Sequence, residues 1–351
     1  MITPNLTNID KQEVVLVYPS FATMLPDGSW KVRIAGGVFG EDDGDVGLQK
    51  RLMLKLLARI LKARPEQIES DLFRERIRGF ILKAERGKRV AIRIGTRTFR
   101  LRKKSKRNGQ FGGTLRLTRD QVEEFSQGNP WLEYHVLTRH PQQAFVGRIQ
   151  LIERHGVSVI SDIDDTMKHT DVSCRKSLLA NTFLRDFEDI DGMANVYQRW
   201  SDQGALFHYV SSSPWQLFKP LANFCDDEGF PDGTFHLRQF RLRDHMLRRL
   251  LLMRKGKSAV IKRLIKACPE RRFVLIGDSG ERDPEIYGKM ARRYPEQVAR
   301  VIIRDLHQRP MDDMRLKKAF QQLPSSLWTL FDDADELPGD ILETSGCAAF
   351  A

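Results

Sequence analysis

Between Val157 and Lys168 the chain reads VSVISDIDDTMK, an apolar run followed at once by Asp162 and Asp164, with Thr166 two residues further on. Ligands of open α/β sheets bind outside the carboxyl ends of the strands, so acids placed there point into a functional crevice. Carboxylates this close repel one another, and a divalent cation is the usual remedy; oxygen ligands favour a hard ion such as Mg²⁺. Alone, the spacing D-x-D-x-T is a modest signal, because an Asp-rich turn capping a helix has the same composition.

Three further groups accompany these acids. ALFHYV runs into Ser211, Ser212, Ser213 and Pro214, ahead of the helical pattern WQLFKPLANF. Proline suits a first helical position and a preceding serine caps it, so this helix start is expected to form an anion site. RFVLIG leads into a second acidic turn holding Asp278 and Asp283, with Pro284 as candidate first residue of the next helix. Two acidic turns at strand ends of one sheet can share a cation. Between them Lys257 precedes a helical stretch, where it could neutralise a phosphate together with a carboxylate; taken singly it is one surface lysine among many.

Elements of two kinds must position these residues. From residue 13 to about 152 the pattern is mostly short β-like runs, EVVLVY, WKVRIAGGVF, KRVAIRI, GGTLRL, WLEYHVLT and FVGRIQLI, which predict a β-rich, sandwich-like domain over 1–150. GLQKRLMLKLLARILK interrupts it as a helical insertion, with Leu52, Leu56 and Ile60 at helical spacing. From residue 157 strands alternate with helices, predicting a parallel sheet with helices on both faces over 151–323. Residues 169–204 leave room for a flap and one or two helices but no large cap. The tail 324–351, with FDDADELPGD, is expected to be weakly ordered.

Composition narrows the function classes. No apolar stretch of the 351 residues approaches the roughly eighteen that span a bilayer. The start MITPNLTNIDKQEVV lacks a basic then apolar leader, so a cytoplasmic location is expected. Cys174, Cys225, Cys268 and Cys347 lie far apart without CxxC spacing, which argues against a zinc site. A net charge of +12 attracts polyanions such as nucleic acid, anionic lipid surfaces or phosphorylated substrates. The densest basic run, Arg97, Arg100, Arg102, Lys103, Lys104, Lys106 and Arg107, reads equally as a solvated hairpin edge and as a binding patch.

The order strand-DxDxT, strand-Ser, Lys, strand-GDxxxxD resembles the four motifs of haloacid dehalogenase phosphatases. VSVISDIDDTMKHTDV, NTFLRDFEDIDGMANVY, FHYVSSSPWQLF, GFPDGTFHLR and RFVLIGDSGERDPEIY are similar to the catalytic domain of actin-patch-protein-type phosphatidate phosphatases. The similarity is dense over about residues 145 to 305 and looser around VVLVYPSFA and NGQFGG. The resemblance implies a haloacid-dehalogenase-like fold and hydrolysis of phosphatidate to diacylglycerol and phosphate. It implies Asp162 as nucleophile, Asp164 as general acid and then base, and Thr166 as support for the loop. Mg²⁺ would be held by Asp162, the Asp164 carbonyl and Asp278, with Asp283 supporting. Ser211, Ser212 and Lys257 would bind phosphoryl oxygens. Lys168, His169, Arg238 and Arg282 receive no role from it; Arg238 and Arg282 could touch substrate, but structural ion pairing is the commoner use of such arginines. Peripheral contact with an anionic membrane would follow. The rivals are a phosphatase of another phosphomonoester, such as a nucleic-acid terminal phosphate, and an inactive basic binding protein, which would have lost one of these residues.

Overall fold

The computed structural model describes residues 6–40, 54–55, 57–59, 61–140, 142–172, 174–238, 256–306 and 312–341. They form two compact units. The first takes in the described residues up to Leu54 and those of 78–154; the second takes in the described residues of 55–77 and from His155 onward. The stretch from Lys55 to Ile77 was expected within the N-terminal domain and instead falls in the second unit. Leu52, Leu56 and Ile60 lie outside the described residues, while Leu57 and Leu61 are buried.

In the first unit β1 (Glu13–Met24), β2 (Trp30–Gly40), β3 (Lys83–Ala84), β4 (Ala91–Ile94), β5 (Arg97–Arg100), β6 (Gln110–Leu117), β7 (Trp131–Val136) and β8 (Val146–Ile152) make one sheet. Its order is β3-β2-β1-β8-β7-β4-β5, with β6 also on β2. All pairs are antiparallel except β1 with β8. The expected β-rich domain is this sheet, in which β1 joins both halves, pairing with β2 along its length and with β8 through Ser20–Thr23. Alternation gives this sheet its buried face, with Trp30, Val32, Ile34, Ile92, Tyr134 and Ile149 in one cluster. β5 is the terminal strand, and Arg102, Lys103 and Lys104 just beyond it are exposed.

The second unit is a six-stranded sheet of β9 (Val157–Ser161), β10 (Leu206–Pro214), β11 (Gly233–Arg238), β12 (Arg272–Asp278), β13 (Val298–Arg304) and β14 (Trp328–Phe331). Its order is β11-β10-β9-β12-β13-β14, and every pair is parallel. Strands covered on both faces read as continuous apolar runs, and all five residues of β9 are buried. From β9 the chain steps to β10 and β11 on one side, through α5 and α6 of the helices α1 (Pro65–Glu69), α2 (Asp71–Ile81), α3 (Arg119–Ser126), α4 (Arg175–Phe183), α5 (Met193–Asp202) and α6 (Phe218–Asp227). It then crosses back through α7 (Lys257–Ala267) to β12 and moves the other way through α8 (Asp283–Arg293) and α9 (Asp313–Phe320). Right-handed crossovers taken in opposite directions put their helices on opposite faces. The direction therefore reverses between β9 and β12, and that switch point is where the carboxyl ends open a crevice.

The tail expected to be weakly ordered is packed as far as it is described. Trp328–Phe331 pair with Val301–Arg304, and Phe320 stacks on Trp328 at 4.8 Å. Trp200 donates to the Pro338 carbonyl at 2.9 Å. Short strands at a sheet edge depend on distant partners, which a local pattern does not reveal. No helix among the described residues is long and apolar enough to cross a membrane.

Candidate active site

Asp162 follows β9 directly, and its N–H donates to the Ile276 carbonyl of β12 at 2.9 Å. The chain then folds back on itself: Asp165 sits at φ +57°, and its carboxylate accepts from the N–H groups of Thr170, Asp171 and Val172 at 2.7–2.8 Å. A short side chain that tolerates the left-handed region makes such a return tight. The turn carries Lys168 back toward Asp164. Thr166, expected to hold the loop, is fully buried, and its hydroxyl has no hydrogen-bond partner among the described residues.

Asp164 is gripped on both oxygens. Ser211 and Ser213 donate to Oδ2 at 2.9 and 3.0 Å, and Thr170 donates to Oδ1 at 3.0 Å. The Lys168 ammonium, buried against the Phe187 ring at 4.6 Å, lies 2.9 Å from Oδ1. Burial alone would push the Asp164 carboxyl up, but Lys168 and the hydrogen bonds from Ser211 and Thr170 outweigh it and hold it well below the usual range. The serines therefore do not cap a helix. β10 runs through Pro214, a short 3₁₀ turn follows, and α6 starts only at Phe218, so the expected helix-start anion site at the serines is not formed. Ser212 lies on the wall of an open cleft with Ser211 and Lys257.

Across the switch point the second acidic turn closes on Lys257, the first residue of α7. Its ammonium is 2.8 Å from Asp162, 2.9 Å from Glu281 and 2.9 Å from Asp283. Asp283, and not Pro284, opens α8. Gly277 permits this packing, because a Cβ there would collide with the Asp283 carboxylate. The Asp278 Oδ1 accepts from the N–H groups of Gly280 and Glu281 at 2.7 and 3.0 Å. Arg315 of α9 donates to the carbonyls of Ser279 and Glu281 and pairs with Glu285 at 2.9 Å, fixing the turn from outside. Arg304 at the end of β13 donates to the Asp165 carbonyl at 3.0 Å.

One ammonium stands against Asp162, Asp278, Glu281 and Asp283. Burial first, and then their mutual repulsion, pushes Asp162 well above the usual carboxylate range, Asp283 up, and Asp278 up to about 8. Lys257 moves up too: burial works against its charge, but the carboxylates win. Both Asp162 oxygens and the Asp278 Oδ2 are buried and accept no hydrogen bond among the described residues; Lys257 meets Asp162 as an ion pair only. Orphaned carboxylate oxygens with excess negative charge fit a divalent cation with oxygen preference. Ligand oxygens of Asp162, Glu281 and Asp283 converge within 4.8 Å of one another.

Glu281, unmarked in the sequence reading, belongs to the converging group, and Asp283 stands in it directly. The Asp164 carboxylate is held by Lys168, Thr170, Ser211 and Ser213; the expectation named only its backbone carbonyl as a ligand. Lys257, expected on phosphoryl oxygens, contacts Asp162, Glu281 and Asp283, and Ser211, expected there too, contacts Asp164. Lys168 and Ser213 were missed as contacts of Asp164; the chain return at Asp165 that brings Lys168 there leaves no spacing signal. His169 and Arg282 are exposed, and Arg238 is half-buried at the end of β11.

Residues 157–305 match the family model described as the phosphatidate phosphatase APP1 catalytic domain. The chain is 33% identical over 171 residues to an uncharacterized protein of Schizosaccharomyces pombe, covering 47% of this chain and 27% of that one. It is 35% identical over 158 residues to phosphatidate phosphatase APP1 of Saccharomyces cerevisiae, covering 44% of this chain and 26% of that one. The matches thus span about a quarter of the length of these curated relatives. Among solved structures, D,D-heptose 1.7-bisphosphate phosphatase from B. bronchiseptica, complexed with magnesium and phosphate, aligns at 10% identity and a TM-score of 0.31, covering 51% of this chain and 94% of that chain.

Proposed function

We propose that the second unit is a Mg²⁺-dependent phosphatase that hydrolyses phosphatidate to diacylglycerol and inorganic phosphate through a phosphoryl group carried on Asp162. The observation that carries this reading is Asp162 itself, a buried carboxylate at a sheet switch point whose two oxygens accept no hydrogen bond among the described residues and meet the Lys257 ammonium as an ion pair. A carboxylate that hydrogen bonds do not tie down keeps a lone pair for attack, and the neighbouring Lys257 ammonium favours its ionised form. The match of residues 157–305 to the phosphatidate phosphatase APP1 catalytic domain supports the substrate class.

In the first half-reaction an Asp162 oxygen bonds to phosphorus as the bond from phosphorus to the glycerol oxygen breaks. The departing oxygen needs a proton. Asp164 as it stands is held ionised, so the Asp164–Lys168 pair supplies that proton together, the ammonium handing it on through the carboxylate. In the second half-reaction water attacks phosphorus, the bond to Asp162 breaks, and the proton of the water returns to the pair. Asp162, Glu281 and Asp283, with Asp278 beside them, would hold Mg²⁺, which when bound offsets charge building on the transferring group. Lys257 keeps the carboxylates together, and the Asp165 turn fixes Asp164 relative to Asp162.

Release of inorganic phosphate from phosphatidate in mixed micelles, from soluble phosphomonoesters and from terminally phosphorylated oligonucleotides, each with and without Mg²⁺, tests the reading. Phosphatidate should be preferred and the reaction should need the cation. Preference for an oligonucleotide would overturn the lipid assignment, and no release from any ester would overturn the enzyme.

A further inference from the structure

Handing a proton to Asp164 requires the Lys168 ammonium to stay on that carboxylate, yet a lysine carries its charge on a long, flexible stem. Something must hold it there. The ammonium, in a residue only 2% exposed, lies 2.9 Å from Asp164 Oδ1 and donates to the Thr170 hydroxyl. Among the described residues it has no other oxygen partner. What it meets besides is the ring of Phe187, whose centroid is 4.6 Å away.

The backbone carries Phe187 to this place. The loop between α4 and α5 pairs with the return after Asp165: the His169 N–H donates to the Glu188 carbonyl and the Ile190 N–H to the Met167 carbonyl, both at 2.8 Å, and Lys168 bridges Asp189. Two side chains from other helices then fix the ring. Phe224 of α6 meets it edge-on at 5.8 Å, and the Arg76 guanidinium of α2 lies 3.3 Å from its centroid, a separation that only stacked planes allow. Arg76 is buried, and its Nε and one Nη hydrogen-bond to nothing among the described residues. Buried guanidinium groups are normally satisfied by oxygens; here the ring takes their place.

We propose that Phe187 is a positioning residue for proton transfer: its π face, fixed by Arg76 and Phe224, keeps water from the Lys168 ammonium and holds that ammonium on Asp164. This rests on the phosphatase reading of the same site. A cation–π contact stripped of water is strong enough to bias a flexible lysine toward one rotamer, and the ring needs no contact with substrate to do so.

The test is kinetics of the full chain with Mg²⁺ on a soluble phosphomonoester, for wild type, Phe187→Leu, Phe187→Tyr, Lys168→Met and the double variant Phe187→Leu with Lys168→Met. A lysine released from Asp164 predicts kcat lowered about 10- to 30-fold in Phe187→Leu with KM within about twofold, and a loss of no more than about threefold in Phe187→Tyr, which keeps the face. In the Lys168→Met background Phe187→Leu should cost less than about twofold, since no ammonium is left to hold. An unchanged kcat in Phe187→Leu overturns the proposal, as does a Phe187→Tyr no better than Phe187→Leu. So does the same loss in both backgrounds, the mark of a ring that only supports the fold. Should Phe187→Leu not fold, Phe187→Met, which fills the space without a π face, is read in its place against the same outcomes. Nitrogen NMR of the lysine ammonium groups decides the matter without turnover. The Lys168 signal, identified by its loss in Lys168→Met, should be protected from exchange with water in wild type and lose that protection about tenfold or more in Phe187→Leu. Protection kept in Phe187→Leu overturns the positioning role even where ester is hydrolysed. Protection lost, with no ester hydrolysed by wild type, supports the hold on Lys168 and sinks the phosphatase reading alone.

Discussion

Raising the pH from 6.5 to 8 without divalent cations should weaken the second unit, and Mg²⁺ should restore what is lost. Asp278 titrates near 3.8 in an unfolded chain and at about 8 in the native state, because burial and then Asp283 disfavour its charge. Between those values the native state keeps a proton that the unfolded chain has lost, so stability falls as pH rises. The buried histidines act in the opposite sense. Burial lowers His208 from 6.5 to about 3 and pulls His236 down as well, so their contribution grows up to about pH 6.5 and then levels. Asp164, whose pKa is lowered, contributes above its ordinary 3.8 and loses that contribution only at more acid pH. From pH 6.5 to 8 the raised acids alone remain, and about 1.5 pH units at 1.36 kcal/mol each give roughly 2 kcal/mol from Asp278. Asp162 and Asp283 add in the same direction. For a unit of this size that is a fall of about 4–8 °C in Tm, read by calorimetry. A cation that favours the ionised carboxylates should raise Tm more at pH 8 than at 6.5. Asp278→Asn, which keeps an oxygen for the Gly280 and Glu281 N–H groups, should remove most of the fall. A flat Tm, an equal Mg²⁺ effect at both pH values, or a full fall in Asp278→Asn would refute the reasoning.

Asp162→Asn should abolish phosphate release and leave the circular dichroism spectrum unchanged, since the side chain ends a strand outside the apolar core; more than a few per cent residual activity would remove Asp162 from the nucleophile role. Lys168→Met should cut turnover about 10²- to 10⁴-fold, the usual worth of proton transfer, with Lys168→Arg between it and wild type; equal activity would detach Lys168 from the proton. Reversing the charge of the exposed Arg102, Lys103 and Lys104 should lower activity on phosphatidate vesicles and spare a soluble ester. Each basic residue near an anionic surface is worth about 1 kcal/mol, screened by salt, so indifference on both substrates would return these residues to a solvated edge.

What the sequence made legible follows from what is local. Apolar runs ending in Asp162 and Asp278 announce buried parallel strands, and the switch-point rule then brings both acids to one crevice without knowledge of any contact. The serines are likewise found by position, but their task is not. A capping role at Pro214 was reasonable from types alone, whereas β10 continues past them and turns Ser211 and Ser213 toward Asp164. Contacts made by chain reversal leave no periodic trace. Lys168 reaches Asp164 because Asp165 adopts a left-handed turn, Glu281 joins Asp162 because Asp278 folds its own turn by accepting two N–H groups, and Arg315 fixes that turn from a helix some thirty residues on. These groups decide how charge is apportioned. With Lys257 surrounded by carboxylates and Asp164 held by Lys168, each acid of the D-x-D pair has its own lysine. Lys168 favours the charged form of Asp164, while burial among like charges resists that form at Asp162. Opposed environments on two acids two residues apart are how one short segment can hold a nucleophile and a proton carrier at once.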